Sequence, residues 1–474
     1  MTKTPAPYSY RLLIGGQLRD TTERLPVVDP STGQVFADCA RTTPTLLDEA
    51  VARAREAFGA WSHRSSADRA AVLVRMADAI EARTDELAEV LTREQGKPLA
   101  QSRMEVDRIT ALCRNLPRLE PHSEVIQDDA LAKVEVHHRP LGVVGAIVPW
   151  NVPLMQAVYK IAPAIFMGNT IVLKTSPTTP LATLLIGEII ADLVPPGVVN
   201  IVSDAGDIGP LLVSHPDVSL VSFTGSTATG KKVMAAAAAT LKRVTLELGG
   251  NDAAIVLDDV DVAAVAPKLF RFAFFNAGQV CVSIKRIYAH ARIYDALCDA
   301  LARLARDAKV GPGSHLASEI GPLQNKRQYE AALHYLELAR KHGRVIAGGN
   351  APEGGGFFVQ PTIVRDISEG NPLVDEETFG PVRSVLRFES VDEVVSRANA
   401  TPYGLGASVW SSDLEKARAI AQRIEAGVVW INQHIMAGAH VPIAGAKQSG
   451  LGVENGRQGL AELTRLQVVS EAKG

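Results

Sequence analysis

The sequence predicts an α/β protein built on parallel sheets. Two observations of rhythm and one of length carry this. From Leu141 onward, short apolar β-rich runs alternate with stretches of helical period, as in strands joined by crossover helices and covered on both faces. The alternation restarts near Asp252 and continues to about Ala444, so a second α/β unit follows the first. A chain of 474 residues is also long for one hydrophobic core, and length alone suggests about three structural units.

The elements follow in order. The first 120 residues read as mostly helical after a short extended start. Thr43 followed by Pro44 is a helix start with proline in the first turn. Leu47, Val51, Ala54, Phe58 and Trp61 then recur at three- and four-residue intervals, which makes one apolar helix face. A second helix is expected over about 67–92. Over 133–139 the period shifts to alternation, a half-exposed strand able to protrude or to pair with another subunit. Strands are expected at 143–148, 170–174, 198–203, 220–224 and 244–247, with helices reaching to about Met167 and spanning 180–193. The second unit opens with a strand at 254–257 and a helix around 262–276. The tail from Lys447 ends in the alternating Leu466-Gln467-Val468-Val469, suited to a sheet edge. No linker or repeat separates the units, which predicts close packing.

Composition narrows the functional classes. With 46% hydrophobic and 21% charged residues, the chain has the balance of a globular protein. A net charge of -3 leaves no basic footprint, so neither nucleic acid nor a membrane surface is an expected partner. Cys39, Cys113, Cys281 and Cys298 are too few and too scattered for a disulfide framework or a C-x-x-C metal site. No metal is expected, and reduced thiols point to the cytoplasm. The first seven residues lack the apolar core of a leader peptide. No apolar run reaches the roughly 20 residues needed to span a membrane; the stretch 184–194 is broken by Gly187, Glu188 and Asp192 and reads as a buried helix.

Four stretches carry chemistry. In Phe274-Phe275-Asn276-Ala277-Gly278-Gln279-Val280-Cys281, a cysteine follows a glycine-containing loop just past a helix, a setting for an activated nucleophile. On composition alone an inert buried thiol is the commoner outcome, and Cys39, Cys113 and Cys298 fit it. In Thr245-Leu246-Glu247-Leu248-Gly249-Gly250, Glu247 ends an apolar strand before a Gly-Gly turn, where partial burial raises a carboxyl toward the range of a general base. In Val148-Pro149-Trp150-Asn151-Val152-Pro153, two prolines fix the backbone around Asn151, and a held amide is a suitable oxyanion donor. In Phe223-Thr224-Gly225-Ser226-Thr227, a strand-turn-helix junction offers a helix start to a phosphate. Neither the G-x-G-x-x-G fingerprint nor a Walker loop is present, so alone this junction says little.

Together and in this order, the four stretches resemble the aldehyde dehydrogenase superfamily, in its NAD(P)-dependent hydrolytic form. The resemblance runs from about residue 10 to the end. It includes Lys174 in Val172-Leu173-Lys174-Thr175-Ser176-Pro177, Glu377-Thr378-Phe379-Gly380-Pro381, and Lys447-Gln448-Ser449-Gly450. It implies Cys281 as nucleophile, Glu247 as general base and Asn151 as oxyanion donor. Lys174 would hold the adenosine ribose, Gly225 and Ser226 the pyrophosphate, and Glu377 with Phe379 the nicotinamide ribose. Val148, Trp150, Ser176, Pro177 and Leu248 are the further positions expected along the cofactor. The implied fold is a Rossmann-like cofactor domain (1–120 and 142–248) and an α/β catalytic domain (249–446). Segments 121–141 and 447–474 would bridge subunits as a β arm in a homodimer or homotetramer.

The sequence departs from the family pattern in two places. Where NAD-preferring relatives often carry a glutamate for the adenosine 2′-hydroxyl, this chain has Pro177. That removes one barrier to NADP, so NAD or NADP is expected, with NAD favoured. Ile443 stands where an aromatic often lines the substrate tunnel, and Val152 and Tyr159 are candidates for its opposite wall. His434 and His440 share that segment and read as structural. The substrate is expected to be a small aldehyde of unspecified class. The alternatives are a CoA-acylating relative, disfavoured by the presence of Glu247, and a non-catalytic structural protein on the same fold.

Overall fold

The computed structural model describes residues 9–352, 354–435 and 438–473; the first seven residues, read above for a leader, lie outside them. The first large sheet has a five-stranded parallel centre. Its order is Val199–Val202, Thr170–Lys174, Val143–Ile147, Val218–Thr224, Arg243–Glu247. The chain starts in the middle at Val143, moves out to one edge, then returns to build the other. The strand ends of Val143–Ile147 and Val218–Thr224 therefore diverge, which is where such sheets open a ligand crevice. These strands are buried almost throughout, as expected of a sheet with helices on both faces. Antiparallel Leu12–Ile14 and Gln17–Arg19 extend one edge; Gly450–Leu451 pairs beside Leu246 and Glu247 at the other.

The second sheet runs Thr362–Arg365, Val382–Phe388, Ile284–His290, Asp252–Val256, Gly406–Trp410, Val428–Ile431, all parallel, with an antiparallel edge at Arg344–Ala347. The two-residue period sends Ala254 and Val256 into one core and Ala253 and Ile255 into the core on the other face.

The alternating segments at 133–139 and 466–469 pair with each other. Ala132–Pro140 and Thr464–Ala472 form nine antiparallel partners, and Glu124–Asp128 adds a third strand. Much of this small sheet is exposed: Leu466 and Val468 are 62% and 60% exposed, and Leu131, in the turn before Ala132–Pro140, is 77% exposed.

Two expectations need correction. The extended start holds four strands, Leu12–Ile14, Gln17–Arg19, Arg24–Asp29 and Gln34–Ala40, because glycine turns at 15–16 and 33 fold it back on itself. The single helix expected over 67–92 is two, Ser66–Glu81 and Thr84–Gln95. At the break Thr84 Oγ1 donates to the Glu81 carbonyl, and Arg83 binds both Glu86 and Glu188, so local polar bonds replace helix continuation. The tail joins a sheet edge twice, at Gly450–Leu451 and again at Thr464–Ala472. Among the described residues no helix is long and apolar enough to cross a membrane.

Candidate active site

Cys281 lies just past the helix Val262–Phe274, in the loop that feeds the strand Ile284–His290. Between helix and cysteine the backbone turns left-handed three times running, at Asn276 (φ 52), Ala277 (φ 55) and Gly278 (φ 76). For the two non-glycine residues this costs about 1–2 kcal/mol each, so the surroundings must over-determine the loop. They do so with buried donors. Asn276 Nδ2 donates to the Asn151 carbonyl at 2.9 Å, and Gln279 Nε2 to the Asn276 carbonyl at 3.0 Å. Fully buried Arg383 donates to the carbonyls of Ala273, Thr378 and Gly278 and to Ser283 Oγ, at 3.0–3.2 Å. Gly278 is obligatory there, since a side chain would strike the Gly380 carbonyl and the Arg383 guanidinium. Buried Lys285 donates to the Cys281 carbonyl at 2.5 Å, and His434 Nε2 to that of Val282 at 2.8 Å.

Glu247 closes its strand opposite this loop and is 7% exposed. The Cys281 thiol faces its Oε1 at 3.7 Å, while Oε2 receives long hydrogen bonds of 3.4 Å from Gln156 Nε2 and Thr224 Oγ1. Burial first, and the Glu454 carboxylate second, push the Glu247 pKa up to about 7, with the Lys160 ammonium pulling the other way. Lys160 itself is paired with Glu454 and donates to Ser222 Oγ at 2.9 Å. Burial and the nearby Glu247 charge also push the Cys281 thiol well above its usual range, opposed by Lys285. The other three thiols are sealed in hydrophobic surroundings that raise each to about 12. Cys281 alone of the four is partly open.

Asn151 is buried at the mouth of the first sheet's crevice, and its Nδ2 donates to the Gln279 carbonyl at 3.0 Å. Its own carbonyl accepts from Asn276 and from Lys97 Nζ, the latter at 3.0 Å. Lys97 and Glu105 form a buried ion pair of 2.6 Å, and Glu105 Oε1 accepts the Met155 N–H at 2.8 Å. Strand end, helix start and nucleophile loop are thus tied through one residue.

Asn151 and Cys281 line a cavity of ≈ 320 Å³ with Trp150, Gly225, Ser226, Leu248, Glu377 and Phe379. Trp150 and Phe379 meet edge to face at 5.4 Å. Glu377 accepts the Gly250 N–H at 3.0 Å and lies 3.8 Å from Lys285; a side chain at Gly249 would collide with it. A second cavity of ≈ 290 Å³ is lined by Lys174, Pro177, Phe223 and Lys232 among others. The start of the helix Thr227–Ala237, capped by Ser226, lies between the two, bordered by Thr224 to Ser226 on one side and Thr229 on the other. Two cavities on either side of a helix N-terminus suit a dinucleotide, with its pyrophosphate at the positive end of the helix. Val148 and Ser176 are buried and line neither cavity.

The residues considered for a tunnel lie elsewhere. Tyr159 borders a small separate cavity beside Lys160 and Glu454, Val152 is buried before the helix Pro153–Phe166, and Ile443 bridges Glu454. His434 is enclosed against Trp430 and Asp252. Sequence reasoning missed Lys97, Glu105, Lys160, Lys285, Arg383 and Glu454. Lys285 and Arg383 did leave a signal, a charge inside an apolar strand.

A family model described as "Aldehyde dehydrogenase family" matches residues 18–469. The aldehyde dehydrogenase LUC3 of Fusarium sp is 38% identical over 464 residues, covering 97% of this chain and 98% of that protein. Among solved structures, the NAD+ complex of an aldehyde dehydrogenase from Bacillus cereus superposes with a TM-score of 0.96 at 35% identity, covering 98% and 97% of the two chains. A betaine aldehyde dehydrogenase point mutant from Staphylococcus aureus, in complex with NAD+, gives 0.95 at 32% identity, covering 98% and 96%.

Proposed function

Because the chain belongs to the aldehyde dehydrogenase family, we propose that it oxidises an aldehyde to the carboxylic acid through a thioester on Cys281, which water deprotonated by Glu247 hydrolyses. The observation that carries this reading is the approach of the Cys281 thiol to Glu247 Oε1, 3.7 Å, at the wall of a cavity sized for a nicotinamide ring.

The chemistry follows from what each group can do. An aldehyde carbon does not release hydride while it is a planar carbonyl. The Cys281 sulfur adds to it, forming a C–S bond and placing negative charge on the oxygen. The sulfur attacks as the thiolate, its proton having passed to solvent, which leaves Glu247 unprotonated for the later step. Asn151 Nδ2, once turned from the Gln279 carbonyl, would donate to the oxyanion; a single such donor is worth roughly 10²–10³ in rate. The nicotinamide, when bound, supplies the hydride acceptor. Glu377, Phe379 and Trp150 would hold its ring and ribose, the Ser226 helix start its pyrophosphate, and Lys174 its adenosine ribose. Glu247 then takes a proton from water, the hydroxide displaces the sulfur, and the acid leaves. A carboxylate placed this way favours hydrolysis over transfer to coenzyme A.

The exposed outer face of the arm sheet supports association with another copy of the chain, and four free cysteines fit a reducing cytoplasm. The test is a panel of aliphatic, aromatic and ω-carboxylated aldehydes with NAD+ and NADP+, following reduced nicotinamide and assaying acid and, with coenzyme A added, acyl-CoA. Acid formation that survives Cys281→Ala would refute the reading.

A further inference from the structure

The strand Thr170–Lys174 ends beside Val199–Val202, with Lys174 in register with Val202, so the chain leaving the second strand brings Asp204 alongside Lys174. Lys174 Nζ lies 2.5 Å from Asp204 Oδ1, and the Asp204 side chain has no exposure at all. The same ammonium donates to the Thr175 carbonyl at 3.0 Å. Asp204 is itself fixed, since Oδ2 accepts the Ile208 N–H at 3.0 Å. An ammonium has three donors; one is turned inward to the Thr175 carbonyl, and the ammonium borders the cavity that Lys174 lines with Pro177. Its charge is cancelled at the same time.

A donor on a neutralised cation suffices for a ribose hydroxyl. A 2′-phosphate needs several charge-assisted donors on an uncompensated cation. Lys232, which also lines this cavity, is exposed, and its charge is screened by water. We infer that Asp204 is a specificity-determining residue, which acts through Lys174 to make this chain select NAD over NADP although Pro177 supplies no carboxylate. The inference rests on the nicotinamide-dependent reading above.

Titration calorimetry of the wild-type protein with NAD+ and with NADP+ tests it without turnover. NADP+ should bind at least about tenfold more weakly, a difference near 1.4 kcal/mol. Asp204→Asn keeps an acceptor for the Ile208 N–H but frees Lys174; it should tighten NADP+ about tenfold while NAD+ changes by less than about threefold. With NADP+ the gain should appear in KM and leave kcat unmoved. Should Asp204→Asn fail to fold, Asp204→Ser serves the same purpose. Equal wild-type affinities, or a folded variant whose affinity ratio matches wild type, would overturn the inference and leave NAD-linked oxidation standing. Binding of neither dinucleotide would overturn both readings.

Discussion

Lys285 holds its ammonium 2.5 Å from the carbonyl oxygen of Cys281 and 3.0 Å from that of Val280, inside a strand closed to water. The nucleophile loop is thereby pinned and given a local positive charge that opposes the burial of the thiol. Lys285→Met should push the thiol further up and slow its alkylation at neutral pH by about tenfold, the factor expected from one unit of ionisation. The check is the pH dependence of iodoacetamide labelling. A variant that folds and labels as fast as wild type at every pH would remove Lys285 from this role.

Glu247→Gln separates the two halves of the reaction. Loss of the carboxylate removes the charge that, after burial, most raises the Cys281 thiol, so acylation should survive as a burst of one reduced nicotinamide per chain. Steady turnover should fall by about 10²–10⁴, the usual contribution of a general base. Rapid-mixing absorbance measures both. If the burst vanished while the thiol stayed modifiable, the division of labour would be wrong.

The pH profile carries a sign. Glu247 acts as a base only when ionised and titrates near 7 in the folded protein, so where deacylation limits, turnover should rise through about pH 7 and be lost below it. Glu454→Gln removes the second cause of the upward shift and should move this limb to lower pH; Lys160→Met should move it higher. The stability sign is opposite, because the folded pKa lies above the unfolded 4.5. The carboxyl favours the fold below pH 4.5, and that contribution declines up to about 7.

Lys97 and Glu105 test how Asn151 is held. Lys97→Met leaves a carboxylate buried without its partner, which should destabilise the protein by about 3–5 kcal/mol. It also removes one of the two donors on the Asn151 carbonyl. The double variant Lys97→Met with Glu105→Leu should recover most of the stability without recovering activity, as read by thermal unfolding and by burst rate. Full activity in the double variant would mean Asn151 does not depend on the pair.

The arm predicts assembly. Charges at Leu466 and Val468, which stand on one strand face two residues apart, should prevent association and yield a monomer in sedimentation velocity. An unchanged sedimentation coefficient would place the contact elsewhere.

Much of this architecture is legible in the chain because period records burial. The strands at 143–147, 170–174 and 243–247 appear as apolar runs within a residue or two of their bounds. The two arm strands, 132–140 and 464–472, appear as alternation, though nothing local says they pair across more than 300 residues. Cys281, Glu247 and Asn151 stand out because glycine or proline beside each marks a turn. The supporting shell does not stand out. Lys97 sits in an ordinary-looking Gly-Lys-Pro and Glu105 on a helix whose charges mostly face water, so their burial depends on contacts far away in sequence. The break at Arg83 is legible only in part, since Thr84 and Glu86 are local but Glu188 comes from a distant helix.

The sealing of three cysteines has a practical corollary for anyone handling the purified material. Cys39, Cys113 and Cys298 can react only when the chain opens, whereas Cys281 looks out on a cleft. A thiol reagent applied to native protein should therefore count functional molecules one by one, and after denaturation the tally should rise to four. The ratio of the two readings reports what fraction of any batch is competent, before any substrate has been identified.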